Sequence, residues 1–170
     1  MICLVETVIE FFQHYFTPKM IVFLISMIPV LELRGGLIAA SILGVPWKEA
    51  ALIGIIGNAI PVPFIIYFIE YILNFLSKHG PIKGFASKMV TKGREKGAEL
   101  SHKYPNSIWL GLLLFVGIPL PGTGAWTGSL IAAFLGRPPL KSMVPIGLGL
   151  VLATTIMLMI TYFVPSLFGF

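Results

Sequence analysis

The chain has 170 residues, 56% hydrophobic and 11% charged, with a net charge of +5. Soluble domains carry about 25% charged residues, so this composition, with a mean hydropathy of +0.93, excludes an ordinary soluble domain and predicts an all-α integral membrane protein. Cys3 stands alone, which excludes an internal disulfide, and His14, His79 and His102 are scattered without metal-ligand spacing.

The N-terminal "MICLVETVIEFF" carries Glu6 and Glu10 and no basic region. It predicts an interfacial helix within residues 1–18 rather than a cleaved signal peptide. The next apolar stretch is too short to cross a membrane. Residues 20–31 give 12 uncharged positions before Glu32, and residues 35–47 give 13 after Arg34. Each reaches only about 18–20 Å as helix, against about 30 Å of hydrocarbon. Residues 50–69, 20 uncharged positions, are long enough to span.

The segment from Lys78 to Lys103 holds seven Lys/Arg and two Glu, whereas the rest of the chain has five of each sign. The positive-inside rule places this basic linker, residues 78–106, in the cytoplasm. Phe85, Met89 and Leu100 fall near one helical face. The linker therefore predicts either an amphipathic helix on anionic lipid or a solvated helix. From Tyr104 to Gly136 no charge interrupts 33 residues, yet "PLPGTGAWTG" breaks the run at its centre. It divides residues 107–118 from residues 125–136, 12 each. Residues 142–170 again suffice for a span.

The two broken segments resemble copies. A shift of 92 superposes Pro29 on Pro121, Gly36 on Gly128, Ala40 on Ala132, Leu43 on Leu135, Gly44 on Gly136, Pro46 on Pro138 and Gly57 on Gly149. Irregular backbone at membrane depth is tolerated only inside protein or along a polar cavity. The expected architecture is therefore two inverted repeats, each a re-entrant helical hairpin plus a transmembrane helix. Repeat 1 covers residues 19–77 with its tip at about 29–36. Repeat 2 covers residues 107–170 with its tip at about 119–128. Two ordinary kinked hairpins in a parallel repeat are the alternative.

Ionisable groups inside a membrane are costly, so Glu32 and Arg34 in "IPVLELRGG" are the first candidates for function. Two apart, they point the same way if the break is extended. A carboxylate there can carry a proton, and a guanidinium offers a planar fork to phosphate or carboxylate. A structural ion pair closing the tip is the competing reading. Gly35 and Gly36 complete that tip. In the second tip, Pro121, Gly122, Thr123, Gly124, Trp126 and Thr127 combine glycine-freed amides with the start of a half-helix, a geometry that favours anions. Asn58 lies in the uncharged span, either lining the same cavity or making an ordinary helix contact. No nucleotide-binding loop or nucleophile motif is present, and no enzymatic activity, cofactor, metal or nucleic-acid partner is expected.

"IPVLELRGG", then "GIIGN", then "PLPGTGAWTGSLIAAFLG" closely resemble the small multidrug export protein family of bacteria and archaea, over about residues 20–165. The layout is more distantly similar to the DedA/VTT membrane proteins, with Asn58 where an Asp is usual. That resemblance implies two inverted re-entrant hairpins and movement of lipids, including polyprenyl phosphates. The expected protein is a multi-pass transporter of the prokaryotic cytoplasmic membrane, with membrane lipids, an amphipathic substrate and protons as partners and with a homodimer left open. The leading expectation is proton-coupled translocation of an anionic lipid. Proton-coupled export of lipophilic cations and a non-transporting scaffold are the alternatives.

Overall fold

The computed structural model describes residues 2–78, 107–120 and 122–164, with isolated positions between 84 and 102. The amphipathic face expected around Phe85, Met89 and Leu100 lies outside the described residues. Among those described, every element is helical.

Helix α1 (Ile2–Phe12) buries Val5 and Ile9 and leaves Glu6 and Glu10 exposed, the amphipathic pattern of its sequence. It rests on α2 (Pro18–Met27) and α3 (Glu32–Ile42). Pro29 stops α2. A residue before proline is pushed out of the helical region, and Ile28 accordingly adopts φ −72 and ψ 130. The chain turns over residues 28–31, and the Glu32 N–H reaches the Ile28 carbonyl at 2.8 Å. The extended tip expected over 29–36 is therefore shorter. Helix α3 starts at Glu32, so Glu32 and Arg34 lie in its first turn and do not alternate as in a strand.

Helix α3 is buried along nearly its whole length, from Glu32 to Ala40. Gly44, at φ +67, ends the chain's turn out of it, with the Val45 N–H bonded to the Ala40 carbonyl at 2.9 Å. Helix α4 (Trp47–Ala59) and α5 (Pro61–Lys78) follow. Their apolar part, Trp47–Ile69, is 23 residues and long enough to cross a membrane.

The second half repeats the plan. Helix α6 (Ser107–Gly117) ends before Pro119, α7 (Ala125–Phe134) ends before Gly136 at φ +66, and α8 (Pro139–Leu158) continues through a π-helical turn, Met159–Phe163. Pro139–Phe163 is a second candidate span of 25 residues. The Arg137 N–H bonds the Ala132 carbonyl at 3.1 Å, the counterpart under the shift of 92 of the Val45–Ala40 bond. Packing is less symmetric than the element order. Helices α2 and α3 lie on each other, whereas α6 lies mainly on α8, and α7 on α5 of the first half.

Glycines set the closest approaches. A Cβ at Gly57 would stand 2.8 Å from the Phe23 carbonyl oxygen, and one at Gly149 2.8 Å from that of Leu113. These equivalent positions let α4 reach α2 and α8 reach α6. Gly149→Ala is expected to lose about 1–3 kcal/mol by overpacking. Gly147→Ala, on the same helix with nothing within 4 Å, is expected to gain about 0.5–1 kcal/mol. Thermal unfolding of the two variants in detergent checks the contrast.

Candidate functional site

Breaking a helix inside a protein leaves orphan carbonyls at its first end and orphan N–H groups at its second. Side chains can serve them. The break between α6 and α7 is served by two groups from the start of α3. Arg34 donates to the Leu120 carbonyl, to the Ile118 carbonyl at 3.5 Å, and to Thr123 Oγ1 at 2.8 Å. The Thr123 hydroxyl lies 2.9 Å from both of those carbonyl oxygens. Glu32 Oε1 accepts the Trp126 N–H at 3.1 Å.

Each charge therefore meets the partial charge it complements. The guanidinium sits at the carbonyl end of α6, and the carboxylate at the N–H end of α7. Both side chains are buried, Glu32 at 6% and Arg34 at 8% exposure. They do not form the mutual ion pair weighed from the sequence, because their polar atoms are turned to the opposite helix ends. Glu32 has φ +50, uncommon for a residue with a side chain. Gly124, its counterpart under the shift of 92, has φ +153, and a Cβ there would overlap the Glu32 carboxylate.

A cavity of about 350 Å³ opens beside these groups, lined by Pro29, Val30, Leu31, Glu32, Arg34, Gly122, Thr123 and Thr127. Five predicted site residues are thus brought together: Glu32, Arg34, Gly122, Thr123 and Thr127. Gly124 and Trp126 join them through the Glu32 carboxylate. Pro121 lies outside the described residues. Gly35 and Gly36 do not line this cavity; they allow close packing instead, since a Cβ on Gly35 would stand 2.7 Å from Leu31 Cβ and one on Gly36 would overlap the Ser26 hydroxyl. Asn58 is 1% exposed and does not line it either.

The expected anion-binding amides of the second tip are already engaged by the protein's own carboxylate, and the expected anion-binding guanidinium by backbone carbonyls. A larger apolar groove of about 760 Å³ lies on the other side of Trp126, lined with it by Pro61, Pro63, Phe64, Ile65, Tyr67 and Phe68. Sequence reasoning missed this groove. Its signal was the aromatic spacing on α5, where Phe64, Tyr67, Phe68 and Tyr71 recur at three- and four-residue steps and stay exposed. Among the described residues no cluster of His, Cys, Asp or Glu has the makings of a metal site.

Short paired helices around a charged break, with two helices long and apolar enough to span, define a helical membrane protein. Residues 32–156 match the family described as "Putative small multi-drug export protein". The match covers most of the chain, from Glu32 just after the first break through the second break, and the chain belongs to that family. No curated protein and no solved structure matches it.

If Arg34 completes the backbone, Arg34→Met should cost about 3 kcal/mol or more, since charge-assisted hydrogen bonds contribute about 1.5–3 kcal/mol each. Arg34→Lys, which keeps the charge and loses the fork, should fall between Arg34→Met and the unaltered protein. Glu32→Gln keeps an acceptor for Trp126 and should cost less than Glu32→Leu. Unfolding midpoints of the four variants in detergent order them; equal midpoints for Arg34→Met and the wild type would remove the backbone role.

Proposed function

We propose that the protein exports lipophilic aromatic cations in exchange for protons, with Glu32 as the acid that both partners compete for. The observation that carries this reading is the position of Trp126. Its backbone N–H holds Glu32, and its ring lines the aromatic groove. One residue thus joins a site for an apolar body to the acid that would neutralise its charge. Aromatic faces attract cations by about 0.5–2 kcal/mol each, and the groove carries no competing positive side chain. Family membership agrees with export.

The two units are proposed to lie in opposite orientations. A re-entrant hairpin returns to its own side and one span crosses, so a second unit in tandem is inverted, as in many secondary transporters. The contact between the equivalent positions Glu32 and Gly124 supports a local two-fold axis at the tips. The basic linker, residues 78–103, is then cytoplasmic by the positive-inside rule, in a prokaryotic inner membrane.

A second reading has its own observation. The tip of α7 already accommodates a carboxylate, so it has the geometry for an anionic headgroup once Glu32 departs. Movement of a lipid phosphate, as the DedA-like layout implies, would use the same amides with the opposite dependence on Glu32.

Ligand-induced thermal stabilisation in detergent separates the two, with tetraphenylphosphonium and phosphatidic acid as probes. The cation reading expects Glu32→Gln and Trp126→Ala to weaken tetraphenylphosphonium binding, and Trp126→Phe to retain most of it. The Trp126→Ala loss should be about 2- to 30-fold, the equivalent of about 0.5–2 kcal/mol. The anion reading expects Glu32→Gln to tighten phosphatidic acid binding, because the competing carboxylate is gone. A wild-type response to phosphatidic acid alone would overturn cation export.

A further inference from the structure

Seven polar or charged side chains are buried among the described residues. Ser26, Ser129, Ser142 and Thr154 each bond the carbonyl four residues earlier. Glu32 and Arg34 serve the broken helix. Asn58 is the exception: at 1% exposure, neither its Oδ1 nor its Nδ2 has a partner. Leaving both a donor and an acceptor dry in a core is strongly unfavourable.

The backbone around Asn58 is short of donors too. The chain stays helical through Ile60, at φ −56 and ψ −47, with the Ile60 N–H on the Ile56 carbonyl at 3.1 Å. The next donors along the helix belong to residues 61 and 63, and both are proline. Proline has no N–H, so the carbonyls of Gly57 and Ala59 lose their usual partners. Two carbonyls without a donor four residues on thus neighbour the unmatched side-chain amide in sequence. The cluster lies at the middle of the apolar span Trp47–Ile69.

A monovalent cation would satisfy the oxygens and leave the Nδ2–H groups unmatched. Water satisfies both kinds, accepting from Nδ2 and donating to oxygen, and buried waters commonly make about three such bonds. The location also matters. Gly54 packs against Leu33 and Leu37 of α3. Helices α3 and α4 are joined by the short turn at residues 43–46 and run antiparallel. Asn58, about 6 Å further along α4, therefore comes level with the Leu31–Glu32 tip.

We propose that Asn58 and the Gly57 and Ala59 carbonyls hold internal water at the centre of the span, and that this water hands protons to Glu32. The step is a transfer from a protonated water to the Glu32 carboxylate, leaving neutral water and a neutral acid. This inference rests on the proton-exchange reading above, and names its route.

The test reconstitutes the full chain in proteoliposomes with a trapped pH-sensitive dye, and measures proton movement evoked by tetraphenylphosphonium. Asn58→Leu places there the residue that the second unit carries at Leu150. It is expected to fold with an unchanged or higher unfolding midpoint, and to lose proton flux tenfold or more. Asn58→Ser, which restores a donor and an acceptor, should recover part of it. Pro61→Ala returns an N–H to the Gly57 carbonyl and should also lower the flux, which keeps the test decisive if Asn58→Leu misfolds. Wild-type flux in a folded Asn58→Leu protein would overturn the water route while leaving proton exchange intact. Sodium-dependent flux lost in Asn58→Leu would overturn water in favour of a cation. A wild type that moves the probe without protons would overturn the exchange reading and the route together.

Discussion

The structure turns on how a broken helix is closed by charged side chains from another helix. Between Gly117 and Ala125 the backbone leaves its helical ladder, and the groups it frees are taken by Arg34 at one side and Glu32 at the other. These two residues are adjacent on α3, two positions apart. One turn of one helix thus serves both ends of the other break. The other features follow. Helix α3 must be buried for its first turn to reach the tip. It is buried because it is rich in small residues, Gly35, Gly36, Ala39 and Ala40, which let α2 and its neighbours close around it.

That arrangement changes what the charges mean for transport. A charged pair held by backbone groups is not a free binding site; it is a closed contact that a ligand or a proton must compete with. Glu32 accepts from the backbone N–H groups of Trp126 and Ala125 at the start of α7, while Arg34 spreads its donors over two carbonyls and a hydroxyl.

The sequence made the skeleton legible. The 12-residue half-segments, the shift of 92 and the two long spans each correspond to elements with nearly the expected bounds, because proline and charge punctuate apolar helices strongly. The candidate site could be singled out too, since two ionisable residues in an apolar run attract notice at once. The partners were not. That Arg34 meets Ile118 and Leu120 is a fact about backbone carbonyls, which leave no trace in residue type. The start of α3 at Glu32 was missed because the two charges read as an extended break between apolar half-segments, whereas packing of Gly35 against Leu31 and of Gly36 against Ser26 accompanies a helix through them. The groove on α5 was missed because aromatic residues are ordinary in a membrane span, and only folding shows Trp126 turned to meet them.

The groups that complete the second break come from the first half, 94 residues earlier in the case of Glu32 and Trp126. Synthesis runs in that direction. The carboxylate and the guanidinium are therefore made before the segment whose break they close. Until it arrives, they have each other but lack the backbone partners that they hold in the folded protein. Severing the chain in the basic linker would give a first half whose charges lack those backbone partners and a second half with a gap that it cannot close.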